Sequence, residues 1–356
     1  MIKSAIRLPE LDGVRAIAVT LVIVSHAIGT FNLPTTDLTK MAWSILGNGG
    51  LGVQLFFVLS GFLISSLLLR EKAQTGTIAF GQFYDRRIRR IFPVFLAYIC
   101  VIALLQTLGV LKIYPGHYIA VLSQIWNYQG LLIEKPAFVS GIWYFGHYWS
   151  LALEEQFYFI WPLVVWLLSK KNQLRFILLL IVLMPIIRVG WYWAFPQHRG
   201  YLGMLFHTAS DSILWGCLLA MIFQQPPYWL SKAVYSKFIQ IGMLFLIGIL
   251  QPVLAKQLGG AWSLLFGISL NALGAAYFLI VLMSNLTLQR WLSARPLVFI
   301  GTISYSLYIW QQLFLVPDWA LGPQIPLGYA LPALLITAWI SRRFIEEPFL
   351  SKNAGR

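Results

Sequence analysis

Long apolar segments recur along the whole chain, and they restrict its fold more than any other feature of the sequence. About 20 consecutive apolar residues are needed to cross the hydrocarbon core of a bilayer. Such segments occupy roughly residues 14–31, 49–69, 91–110, 148–168, 176–195, 206–224, 238–255, 261–284, 297–316 and 327–345. They lack the alternating polarity of barrel strands, and a helix satisfies its own backbone hydrogen bonds in lipid. We therefore predict an all-α fold, a polytopic transmembrane helix bundle of about ten spans.

The composition also indicates residence in a membrane. Of the 356 residues, 59% are hydrophobic and only 11% are charged, whereas soluble domains carry about 25% charged residues. We expect a single transmembrane domain over residues 1–356, with no fused soluble domain. The N-terminal residues lack the pattern of a removable signal peptide. Cys100 and Cys217 lie in apolar segments and indicate no disulfide framework.

Basic residues are distributed unevenly between the two sides of the predicted bundle. With a cytoplasmic N-terminus and ten spans, 19 of the 26 Lys and Arg residues fall in cytoplasmic segments and five in outer ones. This asymmetry follows the positive-inside rule and predicts that both termini are cytoplasmic. It also accounts for the net charge of +14. Binding of nucleic acid, the alternative that such a charge raises, is therefore not expected.

The longest predicted outer connection covers residues 111–147 and is rich in aromatic and histidine side chains. These include His117, Trp126, Tyr128, Trp143 and His147. Two interpretations stay open. The connection could be a lid that inserts partly into the bundle, or its side chains could form an aromatic belt at the membrane interface, which we favour slightly.

Ionisable residues within a span are costly and often functional, and the first span carries two of them. Asp12 is placed to cap the helix, Arg15 follows in the first turn, and His26 lies 11 residues later. At 100° per residue, His26 returns to about 20° from the face of Arg15, about 16 Å further along the axis. Alternatively, Arg15 is a snorkelling charge and His26 a packing histidine.

Four arginines stand in five positions before the third span, in the stretch FYDRRIRRIFP. Arg87 and Arg90 share one side of the helix at spacing i, i+3. Guanidinium groups bind phosphate in bidentate fashion, so the pair would suit a phosphorylated cytosolic ligand. The alternative is an ordinary cytoplasmic flank or a contact with anionic lipid head groups.

The stretch YWSLALEEQFYFIWP places Ser150, Glu154 and Tyr158 on one helix face. Glu154 is expected at about the depth of His26. A carboxylate beside an imidazole orients it as a general base, so we predict a His26–Glu154 pair. The alternative is that Glu154 and Glu155 only form structural ion pairs.

The remaining candidates are structural or weak. Arg188 and Asp211, both within spans, are expected to pair with each other. No two of the five histidines are spaced i, i+4, and the sequence has no nucleotide-binding loop, so no metal is expected. Ser60 lacks the G-x-S-x-G elbow of a serine nucleophile.

Seven stretches occur in an order typical of one family, acyltransferase family 3, whose members are integral membrane O-acyltransferases. They read LDGVRAIAVTLVIVSHA, GVQLFFVLSGFLI, YDRRIRRIFPVF, YWSLALEEQFYFIWP, DSILWGCLLA, ISYSLYIW and FIEEPF, over about residues 9–349. The resemblance implies transfer of an acyl group, often acetyl, from a cytosolic acyl-CoA to a hydroxyl. The acceptor would be a saccharide or lipid-linked saccharide, such as an exopolysaccharide, a lipopolysaccharide or another cell-surface glycan. The protein would reside in a bacterial cytoplasmic (inner) membrane, in contact with membrane lipid.

The resemblance also assigns residues. The family's arginine-x10-histidine motif maps onto Arg15 and His26, and its glutamate maps onto Glu154. Its arginine-x-x-arginine motif maps best onto Arg87 and Arg90, although Arg86 and Arg89 are an offset alternative. These roles imply that Arg15, Arg87 and Arg90 hold the phosphates of acyl-CoA while His26 and Glu154 act as catalytic base pair. An acyl–His26 intermediate is a variant of this scheme.

The chain departs from the family at three glutamines. Gln54 stands where members often have an acidic residue, and Gln311 and Gln312 stand where a histidine often follows the SYxLYxW pattern. These departures leave the identity of the acceptor open.

Two other functions compete with acyl transfer. The arginines could form the substrate site of a transporter for an anionic or lipid-linked solute. Transporters often show inverted repeats, which we do not find, although Pro185 interrupts one span. The chain could also be a structural subunit, in which His26 and Glu154 would have no catalytic role.

Overall fold

The computed structural model describes residues 8–31, 46–132, 140–224, 236–320 and 322–351, and within them every regular element is a helix. The longer helices are α1 Pro9–Phe31, α2 Gly49–Thr75, α3 Phe80–Thr107, α4 Pro115–Leu122, α5 Tyr148–Leu167, α6 Lys170–Ala194, α7 Asp211–Gln224, α8 Lys237–Ser284, α9 Arg295–Thr302, α10 Ser304–Phe314 and α11 Leu327–Ser341. Shorter helices are Trp126–Tyr128, Gln129–Leu132, Ser140–Tyr144, Pro196–Tyr201, Phe206–Ala209, Leu286–Leu292, Asp318–Ala320, Arg342–Glu346 and Glu347–Ser351. The all-α prediction is confirmed over the described residues.

Five of the described helices are long and apolar enough to cross a bilayer. They are α1, α2, α3, α6 and α8. The count of ten spans and the cytoplasmic side of the termini stay predictions, and residues 1–7 and 352–356 lie outside the described part of the chain.

Small residues bring α2 into close contact with two neighbouring helices. A side chain at Gly61 would overlap the carbonyl of Ile213 in α7, and one at Gly216 would overlap the carbonyl of Val58. Gly52 meets α1 in the same way, at the carbonyl of Ala18. Glycine allows this approach where the hydrophobic effect cannot drive helices together, as in lipid. Helix α2 is therefore the centre of the bundle.

Helix α8 folds back on itself. Gly259 has φ of 61°, a left-handed conformation that ends one helical arm and starts the next. The arms lie side by side, because Gly274 lies against Ile247 and Gly267 lies against Gln251. The apolar segments predicted at 238–255 and 261–284 are the two arms of this hairpin.

Two other predicted spans differ in the structure. The segment predicted at 206–224 divides into Phe206–Ala209 and α7. With 14 residues, α7 is about 21 Å long, shorter than the hydrocarbon core. The segment predicted at 297–316 is broken at Ile303, which leaves helical geometry between α9 and α10. An apolar run does not reveal such breaks, because side-chain polarity is unchanged across them.

The connection between α3 and α5 packs onto the bundle. His117, Trp126, Tyr144 and Phe145 are all buried, with at most 2% of their surface exposed. Tyr98 of α3 donates a hydrogen bond to the Tyr144 carbonyl at 2.8 Å. An aromatic belt would expose these rings to lipid, so the interpretation that we favoured was wrong, and the described part of this connection covers one end of the bundle.

Candidate active site

A cavity of about 590 Å³ opens between α1, α2, α3, α5, α10 and the segment after α11. Four of the five predicted site residues line it, namely Arg15, Arg87, Arg90 and Glu154. Residues separated by up to 139 positions in the sequence therefore meet in one place. We call it the arginine cavity.

Helix α3 presents two of its four clustered arginines to this cavity. Arg87 lies over the rings of Phe83 and Tyr158, 5.9 and 6.0 Å from their centroids, and Arg90 lies one turn further on. Arg86 instead approaches Glu71 at 4.0 Å, and Arg89 pairs with Asp85 at 2.8 Å. The helix period separates the two sets, so the geometry favours Arg87 and Arg90 over the offset pair.

Arg15 is held by its own helix. Its Nη1 donates to Asp12 Oδ1 at 2.6 Å. Helix α1 begins at Pro9, so Asp12 lies inside the first turn and is not the helix cap that the sequence predicted. Proline suits the first position of a helix because it has no N–H to lose there. From this position Asp12 orients Arg15 toward the cavity.

A fourth arginine lines the cavity and was not predicted. Arg342 follows α11 and donates to Glu346 at 2.5 Å, and both side chains face the cavity. Only its partner Glu346 lies in the FIEEPF stretch, which contributed to the resemblance without a role, and Arg342 stands two residues before that stretch. Its position 255 residues after Arg87 gave no indication that the two arginines would meet.

Glu154 stands among hydroxyl groups and arginines. It lines the cavity together with Ser60, Tyr158 and the two arginines of α3. Ser60 also shares a short hydrogen bond with the Tyr158 hydroxyl. The sequence predicted Tyr158 beside Glu154 correctly but gave no reason to place Ser60 there.

A hydrogen bond between two helices forms part of the cavity lining. Ser150 Oγ and Tyr308 Oη lie 2.6 Å apart, and both residues line the cavity. Their bond joins α5 to α10. The next turn of α10 carries Gln311, which faces a different partner.

That partner is His26. Its Nδ1 lies 3.0 Å from Gln311 Oε1. The amide nitrogen of Gln311 donates to the Tyr308 carbonyl at 3.2 Å, so the amide oxygen must be the atom that faces the ring. An oxygen acceptor requires a protonated Nδ1, which leaves the lone pair on Nε2. Trp143 packs against the imidazole edge at 5.4 Å.

The predicted direct contact between His26 and Glu154 is not present among the described residues. The hydrogen bond of His26 goes to Gln311, and His26 does not line the arginine cavity. Matching depths along two helices did not determine which faces meet. The catalytic roles of His26 and Glu154 stay predictions.

The second glutamine departure also binds a histidine. Gln312 Oε1 lies 2.6 Å from His147 Nδ1 and accepts from the backbone N–H of the same residue at 3.2 Å. Consecutive glutamines of α10 thus hold two histidines from different segments. The sequence offered Gln311 and Gln312 only as departures from a pattern.

Comparison with known proteins decides the family. A family model described as "Acyltransferase domain" matches residues 8–341.

The chain belongs to this acyltransferase family.

Two similar proteins are named as O-acetyltransferases. The chain is 31% identical to O-acetyltransferase OatA of Staphylococcus aureus strain NCTC 8325 / PS 47 over 97% of its own length and 58% of the relative's. It is 30% identical to a candidate O-acetyltransferase of S. aureus strain COL, over 96% of its own length and 57% of the relative's. The chain thus spans less than two thirds of the curated relatives that it matches. No solved structure matches it.

Family membership and the apolar helices together identify a multi-pass integral membrane protein from a family of acyltransferase enzymes. In the described part of the chain, no cluster of three or more His, Cys, Asp or Glu side chains could hold a metal ion.

The predicted pair of Arg188 and Asp211 is confirmed. Arg188 Nη2 donates to Asp211 Oδ2 at 2.6 Å, and neither side chain is exposed. Ser269 Oγ contacts both partners, at 3.1 and 2.5 Å. The three residues join α6, α7 and α8 away from the arginine cavity, which supports a structural role for the pair.

Proposed function

We propose that the protein is an O-acyltransferase of a bacterial cytoplasmic membrane. It moves an acyl group, with acetyl as the expected one, from cytosolic acyl-CoA to a hydroxyl of a cell-surface glycan. The observation that carries this proposal is the arginine cavity. Three predicted arginines from two helices line the same space as Glu154.

The arginines suit the donor. Arg15, Arg87 and Arg90 present planar guanidinium groups, which bind phosphate oxygens through charge-assisted hydrogen bonds. With the predicted orientation, the mouth faces the cytosol, where acyl-CoA is made. The roughly 16 Å from Arg15 to His26 along α1 is comparable to an extended pantetheine arm. The thioester would thus reach the Ser150–Tyr308 hydrogen bond.

His26 is the proposed general base. Because Gln311 engages Nδ1, Nε2 is left to accept the proton of an acceptor hydroxyl. The acceptor oxygen then forms a bond to the thioester carbon, the carbon–sulfur bond breaks, and the proton passes to the leaving thiolate. Opening of the Ser150–Tyr308 hydrogen bond would bring His26 and the thioester together. In this scheme Glu154 and these two hydroxyls carry the proton between His26 and the cavity.

Transfer of label tests the proposal. Purified protein in detergent is given radiolabelled acetyl-CoA and a membrane glycan fraction. Native protein should release CoA and label the glycan, and His26→Ala should lower the rate by roughly 10²- to 10⁴-fold, the usual contribution of a general base. His198→Ala, outside the arginine cavity, is the matched control and should keep its activity.

Two outcomes would contradict parts of this proposal. Binding of an anionic solute without CoA release would favour the transporter alternative. Full activity of His26→Ala would leave acyl transfer standing and remove His26 from the mechanism.

A further inference from the structure

A second cavity, of about 380 Å³, lies between the start of α2 and the hairpin of α8. It is lined by Gly47, Asn48, Gly50, Gln54, Gln251, Pro252, Ala255, Ser263, Ile268 and Asn271. Four of these residues carry side-chain amides, and none carries a charge. We call it the amide cavity. Its lining shares no residue with that of the arginine cavity.

Two of the four amides of this cavity have an oxygen without a partner among the described residues. Gln54, Gln251 and Asn271 are each at least 93% buried. Gln54 Oε1 and Asn271 Oδ1 are buried and accept no hydrogen bond from any described residue. Unmet polar atoms are costly in a protein interior and more so at membrane depth. These two oxygens have almost no accessible surface, and a rotation of either side chain toward the cavity would let an occupant that donates hydrogen bonds satisfy it.

The amide cavity lies at the same end of the bundle as His26. Helix α2 runs antiparallel to α1, with Gly49 packed against Ser25, the residue before His26. Gly52 faces α1, whereas Gln54 lines the cavity, and two residues turn a helix by about 200°. The amide cavity and α1 therefore lie on opposite sides of α2.

The lining indicates the chemistry of the occupant. Amides donate and accept hydrogen bonds without charge, as the hydroxyls of a sugar do. A phosphate or carboxylate would meet no cation there, and an acyl chain would leave the amides unpaired. The volume falls within the range of small-molecule sites.

We propose that the amide cavity binds an uncharged saccharide unit of the acceptor glycan. This assignment rests on the proposed function. Because α2 separates the cavity from His26, the bound unit is a neighbour of the unit whose hydroxyl is acylated. Gln54 and Asn271 hold it through their side-chain amides, and the arginine cavity takes the donor from the other end of the bundle.

The experiment separates the affinity for the acceptor from the affinity for the donor. Labelled acetyl transfer to a membrane glycan fraction is measured while glycan and acetyl-CoA are varied in turn. Gln54→Met and Asn271→Leu keep the side-chain size but lose the amide. Each should raise the half-saturating glycan concentration at least tenfold and leave the half-saturating acetyl-CoA concentration unchanged. Gln289→Met, which removes an amide outside the cavity, is the control and should match native protein.

The possible failures are distinguishable. If native protein labels glycan and both variants saturate at the native glycan concentration, the amide cavity is not an acceptor site. If native protein labels no glycan, the proposed function fails and this assignment fails with it. If either variant unfolds in detergent, Gln54→Asn and Asn271→Ser replace them, and the same half-saturating concentrations of glycan and acetyl-CoA are compared. Both replacement side chains stay polar but are shorter.

Discussion

Gln311 determines which nitrogen of His26 is left to accept a proton. We expect Gln311→Leu to lower kcat about tenfold, because a lost hydrogen bond of about 1.4 kcal/mol no longer holds the imidazole in the required tautomer. The KM for acetyl-CoA should stay at its native value, since Gln311 does not line the arginine cavity. Steady-state kinetics with labelled acetyl-CoA measure both constants.

A conservative variant distinguishes positioning from packing. Gln311→Glu keeps an acceptor oxygen of the same reach and should retain more activity than Gln311→Leu. If the two variants lose equal activity, or if KM rises along with the loss of kcat, Gln311 does not act through His26.

The four clustered arginines of α3 provide their own control. Arg87→Ala and Arg90→Ala should each weaken acetyl-CoA binding by roughly 10- to 100-fold, because a charge-assisted hydrogen bond contributes about 1.5–3 kcal/mol. Arg86→Ala and Arg89→Ala remove the same charge from the side that pairs with Glu71 and Asp85, and they should bind almost as native protein does. Equilibrium binding of labelled CoA measures the affinity of each variant. Equal losses of affinity in all four variants would show that only the total positive charge matters.

At this scale the sequence predicted groups on one helix but not contacts between helices. The i, i+3 spacing selected Arg87 and Arg90, and the structure places both at the cavity. Gln311 lies 285 residues from His26, and no local pattern links them. Depth along two helices predicted Glu154 as the partner of His26, and the resemblance agreed, whereas in the structure the imidazole contacts Gln311 of α10.

At the scale of helices, the buried ion pair joins three of them. Asp211→Ala leaves the Arg188 guanidinium buried and uncompensated, so we expect a loss of about 3–5 kcal/mol in the free energy of unfolding. The double variant Arg188→Met with Asp211→Leu should recover most of it, because no charge stays buried. Arg343→Ala, in an exposed pair with Glu347, should change stability by less than about 1 kcal/mol. Thermal unfolding in detergent compares them, and equal melting of the single and double variants would contradict a structural pair.

Helices were predictable from apolar runs, but their interruptions were not. The two arms of α8 appeared as separate apolar segments because Gln251, Lys256 and the glycine pair at 259–260 interrupt the apolar run around the reversal. The break at Ile303 has no such signal, since isoleucine continues the apolar run. Backbone geometry there is set by contacts with neighbouring helices, which a single sequence does not display.

At the scale of the whole molecule, the two cavities make the two ends of the bundle chemically different. Cations collect at the end where α2 meets α3, and neutral amides collect at the end where α1 meets α2. Charge asymmetry in the sequence predicted the first of these ends to be cytoplasmic, and the proposed donor requires the same, because acyl-CoA is a cytosolic molecule. Orientation is therefore the property on which the donor and acceptor assignments jointly depend.

Labelling of single cysteines tests that orientation. In a variant with Cys100 and Cys217 replaced by alanine, a cysteine is placed at Thr77 or Lys171, both exposed and predicted to be cytoplasmic, or at Gln197, exposed and predicted to be outer. Lys171 and Gln197 flank α6, whose 25 residues span about 37 Å, enough to cross the hydrocarbon core. A membrane-impermeant maleimide should label position 197 in intact cells and positions 77 and 171 only after permeabilisation. Labelling of position 77 in intact cells would mean that the arginine cavity faces outward, where acyl-CoA cannot reach it. A transporter of an anionic solute would then account better for the charge of the cavity.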